Sequence, residues 1–399
     1  MKKGIIAAVA VVSVGLLAFT GCSKKAKKSE KITLTVWESL LGPDEFIKQA
    51  GAKYTESHPN VEIKFVNVEL GDSTGQISLD GPAGVGADLF AAPHDKLGEL
   101  VNGGHVAPTA NADVVAKEVL GACSKALTYE GKMYGYPVSA ETYALFYNKD
   151  LIAEKDVPKT WDALAKWVVD FNKKNPDKRG FIMDVGNAYY SIVFTTENGN
   201  RVFGSTGADT STTYLNNDDA VNGMKFFQSL RSALNVPAAD LSTGACDAAF
   251  QGGQAAMHIT GPWNVKNFVD AGLNFGVAPL PSLPGDKVPA PSFSGTRAMF
   301  VSSYSDHPEE AADFAQFLIS PAMQQLRFDI TGAMPAINVK VSSEYIGGFL
   351  QQLDYAFPMP SVPQMSAFWE AFGNASKNIW DGADVKKELD ACNATILGI

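Results

Sequence analysis

"KMYGYPVSAETYALFYNKDLI" (Lys132–Ile152) decides how the chain is organised. It reads as extended throughout, yet one strand of this length is improbable, because strands in globular proteins usually run 3 to 10 residues. The stretch is therefore expected to hold a strand that crosses from one lobe to another near Val138 to Tyr143. On both sides of it, strands alternate with helices, the pattern of an α/β fold. Upstream, "ITLTVW" (Ile32–Trp37), "VEIKFVNV" (Val61–Val68) and "ADLFAAP" (Ala87–Pro93) are expected strands. Pro43 opens a helix with Phe46, Ile47, Ala50 and Tyr54 on one side, and "DKLGELVNGG" reads as a short helix stopped by glycine. Downstream, Thr160 caps a helix that buries Trp161, Leu164, Val168 and Phe171, and "DDAVNGMKFFQSL" is another helix. "AAMHITGPW", "NFGVAPLP" and "AMFVSSYS" are further strands, followed by four closing helices from Pro308, Pro321, Ser343 and about Gln364.

With 399 residues the chain is long enough for two or three domains. Its formal charge of −10 argues against nucleic acid as a partner. Five histidines and four cysteines are too scattered for a metal-ligand cluster, so neither metal nor cofactor is expected. "GPAGVGADLF" precedes a strand, so its glycines serve a turn; a phosphate cradle would link a strand to a following helix. No G-x-S-x-G, P-loop or H-E-x-x-H motif occurs, although carboxylate pairs of a glycoside hydrolase are assembled in space and leave no motif.

The N-terminus departs from this soluble composition. Met1-Lys2-Lys3 precedes an apolar run, "GIIAAVAVVSVGLLAFT", and then Gly21-Cys22. This reads as an export signal, 1–21, the alternative being a plain transmembrane anchor at the short limit for spanning, and the cysteine at its cut resembles the bacterial lipoprotein signal, with Cys22 the acylated residue. Residues 22–30 are a polar tether too hydrophilic to fold. The remaining cysteines, Cys123, Cys246 and Cys392, read best as buried small hydrophobes, the alternative being one disulfide and one free thiol.

The helix in "VPQMSAFWEAF" (Val362–Phe372) poses a separate question. Phe368, Phe372, Ala375 and Ile379 share one face by i+4, i+7 and i+11 spacing. Trp369 is adjacent to Phe368, about 100° around the helix, and so lies off that face.

Three passages, "GKMYGYPVSAETYALFYNKDLI…PKTWDAL", "AAFQGGQAAMHITGPWNVKN" and "MPSVPQMSAFWEAF", resemble the maltose/maltodextrin-binding proteins of bacterial ABC importers. The resemblance covers nearly the whole mature chain. It implies two α/β lobes joined by a hinge with a ligand cleft between them: a lobe of 31–139 plus 293–332, and a lobe of 144–292 plus 336–399. Carried over by motif, Trp369 and Trp263 would stack on sugar rings, with Tyr189 stacking or bonding a hydroxyl. Glu141 would be a hinge carboxylate that accepts hydroxyls, Asp95 and Lys96 an acid–base pair holding one end of the sugar, and Met359 a cleft-wall residue. Ser39 and Glu38 follow the first strand where a polar contact is expected, and Arg297 in "SGTRAMF" would supply a further donor. Ala92, Asn187 and Gly373 stand where the family has a tryptophan, a carboxylate and often an arginine, which implies a roomier subsite at one end. The resemblance thus implies a monomeric, non-catalytic, lipid-anchored receptor that delivers a maltodextrin-like oligosaccharide to ABC permease subunits. A receptor for another oligosaccharide and a secreted glycoside hydrolase are the alternatives.

Overall fold

A computed structural model describes residues 31–399. The signal and tether expected at 1–30, Cys22 included, lie outside the described residues. Among the described residues no helix is long and apolar enough to cross a membrane.

The strands and helices that position the site are β1 (Ile32–Glu38), α1 (Pro43–Ser57), β2 (Val61–Asn67), β3 (Leu89–Pro93), β4 (Tyr136–Thr142), β5 (Ala144–Asn148), α2 (Trp161–Lys174) and α3 (Asp218–Leu234). After them come β6 (Met257–Thr260), β7 (Phe275–Ala278), β8 (Phe293–Val301), α4 (Pro308–Leu318), α5 (Pro321–Thr331), α6 (Ile346–Leu353), α7 (Met365–Trp380) and α8 (Val385–Leu397). Local chemistry sets several boundaries. Pro43 sits in the first turn of α1 beside Asp44 and Glu45, which favour the positive end of the helix dipole. Thr160 caps α2 by accepting a hydrogen bond from the Ala163 amide.

Two sheets form. In the larger one, β1 pairs parallel with β2 and β3, and β8 lies antiparallel between β3 and β4. Phe357–Pro358 adds a short parallel strand at the start of β8. In the smaller one, β5 is antiparallel to both β6 and β7. The chain changes sheets at Tyr143, at the end of the Val138–Tyr143 window expected for the crossing. The hydrophobic core divides in the same way. Leu34, Phe90, Leu97, Tyr136 and Phe300 belong to one buried cluster, and Phe146, Trp161, Phe194, Phe293 and Phe368 to another. The molecule is a two-lobed α/β fold.

β8 begins at Phe293, earlier than the sequence reading placed it, and runs from one core to the other. Phe293 is buried in the second core, while Ala298 to Val301 are buried in the first. A third, small cluster of Cys123, Ala140 and Ala336 sits where connecting segments meet. Near the last expected crossing, Met334 belongs to the second core, while Ile337 and Val339 pack on the first. A fifth closing helix, α8, was not foreseen. Asp384 caps it, and Val385, Leu389, Cys392 and Ile396 form its buried face. Cys123, Cys246 and Cys392 are free and buried, as the better of the two cysteine readings has it.

Candidate functional site

Four ring systems join into one continuous wall. Trp263 lies 6.3 Å from Tyr189, Tyr189 lies 6.1 Å from Phe293, and Phe293 lies 6.1 Å from Trp369, measured between ring centroids. Phe293 is fully buried, while Trp263, Tyr189 and Trp369 keep part of their surface open. The wall brings together residues separated by up to 180 positions. Trp263 comes from the Pro262–Asn264 turn after β6, Tyr189 from the short helix Ala188–Ser191, and Trp369 from the first turns of α7. On α7 the expected division holds: Phe368, Phe372, Ala375 and Ile379 are buried, and Trp369 is not. Tyr189 is aimed by Asn187, whose side-chain oxygen accepts the Tyr189 amide at 3.0 Å and whose amide nitrogen donates to Thr243 Oγ1 at 3.3 Å.

Opposite this wall stand groups carried by the first lobe. The Trp369 indole N–H donates to Asp95 Oδ2 at 3.1 Å, across the boundary between the cores. Asp95 is buried, and its Oδ1 has no hydrogen-bond partner. Burial raises its carboxyl to about 6, an effect that the Lys96 charge and the Trp369 bond reduce. Glu141 is half-buried at the end of β4 and accepts from Ser139 Oγ at 2.9 Å. Burial holds the Tyr189 phenol well above its ordinary value, and the charges on Glu141 and Asp95 add to that shift. Glu141, Asp95 and Tyr189 therefore share one electrostatic neighbourhood. Met359 is nearly buried; its carbonyl accepts from His94 Nε2 at 3.0 Å, and its methyl carbon would sit 3.2 Å from a Cβ placed on Gly295.

Not every residue singled out in the sequence is free to meet a ligand. Glu38 is fully buried and both of its oxygens are occupied. Oε1 accepts from the Ser39 amide at 2.8 Å and from Arg297 Nη2, and Oε2 accepts from Arg297 Nε at 3.2 Å. Arg327 Nη1 lies 3.7 Å from the same carboxylate. Arg297 also donates to Ser39 Oγ at 2.7 Å. Glu38 thus has both oxygens engaged within the protein, whereas Arg297 commits Nε and Nη2 to Glu38 and Ser39 and leaves Nη1 uncommitted. Ser39 is tied to both. Lys96 is half-committed as well: its ammonium is 3.3 Å from Ser366 Oγ and 3.4 Å from Glu99 Oε2.

The three departures have structural reasons. Ala92 is fully buried between strands, paired with Ala298 in β8, so it belongs to the core and leaves no gap in the cleft wall. A Cβ on Gly373 would meet the Gly186 carbonyl at 2.8 Å, so α7 packs there too closely for any side chain. Asn187 serves as the cap that orients Tyr189.

Two residues that shape this region escaped the sequence reading. Phe293 links the two ends of the aromatic wall and opens β8, five residues before the strand expected from Ala298. His94 is buried with Nδ1 accepting from the Thr296 amide at 3.1 Å and Nε2 donating to Met359. Its position within "HDK" was the available signal. Among the described residues no group of three metal-ligating side chains gathers.

Comparison with known proteins supplies the remaining context. Residues 38–325 match the family model described as bacterial extracellular solute-binding protein. The galactooligosaccharide-binding protein of Bacillus subtilis is 31% identical, over 100% of this chain and 97% of its own length. Maltodextrin-binding protein MdxE of the same organism is 30% identical over 97% of this chain and 94% of its own. Among solved structures, a cyclo/maltodextrin-binding protein complexed with maltotetraose superposes with a TM-score of 0.79 at 32% identity, covering 93% of this chain and 98% of that one. The Thermus thermophilus maltotriose binding protein bound with maltotriose gives 0.83 at 26% identity, covering 92% and 99%.

Proposed function

The chain belongs to the bacterial extracellular solute-binding proteins, which bind a solute and do not transform it, and from that premise we propose that it captures a neutral oligosaccharide of the maltodextrin type. One observation carries the reading: the continuous wall Trp263–Tyr189–Phe293–Trp369 faces the acidic groups Asp95 and Glu141. A pyranose has an apolar face and a rim of hydroxyls. Large rigid rings such as indole suit the first, and carboxylate oxygens accept from the second. Asp95 Oδ1, buried without a donor, is the acceptor most in need of a sugar hydroxyl.

The sugar lies between a lobe of about 31–139 plus 293–332 and a lobe of about 144–292 plus 336–399, with the segment around Ile337 moving with the first. Trp369 and Trp263 stack, Tyr189 stacks or bonds, Asp95 and Glu141 accept, Met359 lines the wall, and Lys96 and Ser39 border the site. Binding that favours the closed arrangement delivers the sugar to an ABC permease. Cys22 is the acylated residue that anchors the protein to the membrane, and Cys22→Ser releases it into the soluble fraction. A protein that stays membrane-bound after this change has another anchor.

Calorimetry with maltotetraose tests the ligand. Trp369→Ala lowers affinity at least tenfold, about 1.4 kcal/mol. Equal affinity in the variant removes Trp369 from the site. The relative named for binding galactooligosaccharides supports a second reading, in which the chain takes a galactooligosaccharide. Titration of a galactotetraose beside maltotetraose decides between them.

A further inference from the structure

The stretch His94–Glu99 of the first lobe lies against Met359–Trp369 of the second, and at Gly98 the packing leaves no room for a side chain. A Cβ placed on Gly98 would lie 2.3 Å from the carbonyl oxygen of Ser361 and 3.3 Å from the Pro363 ring. The nearer obstacle is backbone, so no rotamer change relieves it. The two stretches are fixed to different cores. Leu97 and Leu100 are buried in the first, and Met365 and Phe368 in the second. Making room for a methyl group at position 98 therefore means moving one lobe away from the other.

Around Gly98, His94 bonds the Met359 carbonyl at 3.0 Å, Asp95 bonds Trp369, and Ser366 Oγ donates to Glu99 while receiving Lys96. These bonds are made wholly between protein groups. They favour the closed arrangement whether or not a ligand occupies the cleft. On the other flank a Cβ on Gly332 would be 3.2 Å from the Pro262 carbonyl, a looser approach, and what restricts that glycine is its φ of +69°.

We infer that Gly98 governs lobe closure: the seam between 94–99 and 359–369 is a protein-made latch, and the missing side chain at position 98 sets how far the lobes can close. The consequence for affinity rests on the reading that an oligosaccharide binds between the lobes; the consequence for shape does not. Latch bonds bias the equilibrium toward the binding-competent form, and an obstacle in the seam shifts it back, lowering apparent affinity by the fraction of molecules that remain competent.

The test is Gly98→Ala, studied by small-angle scattering, thermal denaturation and calorimetry with maltotetraose. The expected result is an unfolding midpoint close to wild type, a larger radius of gyration, and at least tenfold weaker binding with every sugar-facing side chain intact. Gly75→Ala, at a glycine with open space around it, matches wild type throughout. An unchanged radius of gyration overturns the latch. If wild type fails to bind maltotetraose while Gly98→Ala still enlarges the molecule, the ligand reading fails and the latch stands. If wild type binds and Gly98→Ala matches it in shape and affinity, the latch fails and the ligand reading stands. Should Gly98→Ala not fold, the double variant Glu99→Gln/Ser366→Ala takes its place; it removes latch bonds without adding bulk, and a wild-type shape overturns the proposal.

Discussion

His94 and Asp95 are neighbours whose protonation pulls stability in opposite directions as the solution is acidified. His94 is buried, its Nδ1 holds the Thr296 amide, and burial lowers its ring to about 4 from an ordinary 6.5, the bond to Met359 opposing that shift only in part. The unfolded chain therefore takes a proton at higher pH than the folded one. The stability this gives is complete above pH 6.5 and is lost as the pH falls toward 4. At pH 4.5 the loss relative to pH 7 is about 2.5 kcal/mol, at 1.36 kcal/mol per pH unit. Asp95 behaves in reverse. Its folded carboxyl is raised to about 6 from 3.8, so its protonated form favours the folded state. That stability is complete below pH 3.8 and is lost as the pH rises through 6, a gain of about 2 kcal/mol on going from pH 7 to 4.5. The two nearly cancel in the wild type, and single variants expose them. Urea unfolding at pH 7 and 4.5 is compared for wild type, His94→Gln and Asp95→Asn. The difference between the two pH values, taken against wild type, removes every other titrating group. His94→Gln retains about 2.5 kcal/mol more of its stability on acidification, and Asp95→Asn retains about 2 kcal/mol less. If His94→Gln has the same pH dependence as wild type, the ring takes up its proton normally and the burial argument is wrong.

Ala92→Trp, a change that would restore an aromatic if Ala92 lined the cleft, instead overpacks the first core. It is expected to lower stability by ~1–3 kcal/mol or more and to leave sugar affinity no better, as thermal denaturation and calorimetry will show. Cys123, Cys246 and Cys392 react with a thiol reagent only after denaturation, because burial raises the three thiols to about 11, 12 and 12. Rapid labelling of the native protein would contradict this. Arg297→Ala leaves the Glu38 carboxylate buried without its principal partner and costs about 3–5 kcal/mol in urea unfolding, whereas Arg327→Met stays within about 1 kcal/mol of wild type. Equal losses from the two variants would refute the assignment of Arg297 as the main counter-ion.

What could be read in the sequence and what could not divide by the range of the interaction. The helical position of Trp369 depends only on local spacing, and the structure places it off the buried face as that spacing requires. The same spacing was present in α8, where Asp384 opens a pattern of Val385, Leu389, Cys392 and Ile396, so that omission was avoidable. Glu38 and Arg297 are 259 positions apart, and neither has a neighbour in sequence to announce the pair. Each alone reads as an ordinary polar residue, Glu38 at the end of β1 and Arg297 in the middle of β8. Ala92 is similar: its partner in β8 determines that it is core, and that pairing belongs to tertiary structure. Glycines at Gly98 and Gly373 look like loop or helix defects until the carbonyl opposite each is known.

The charge cluster at the end of β1 raises the question of why two guanidinium groups surround one carboxylate in a buried site. Arg327 is the weaker participant. Burial lowers it to about 10, Glu38 opposes the shift, and Arg297 reinforces it; its Nε and Nη1 make no hydrogen bond. It compensates partly by lying 5.2 Å over the Phe46 ring of α1. Burial would lower Arg297 too, yet Glu38 and then Glu141 hold it above its ordinary value. Glu141 also acts favourably on Arg327. The cluster is thus two cations balanced by Glu38 within and Glu141 at its edge, and Glu141 is also the half-buried carboxylate beside Tyr189. Glu141 is thereby flanked by a cationic knot on one side and an aromatic wall on the other. Glu38, Arg297 and Arg327 therefore form a nearly buried knot beside Glu141.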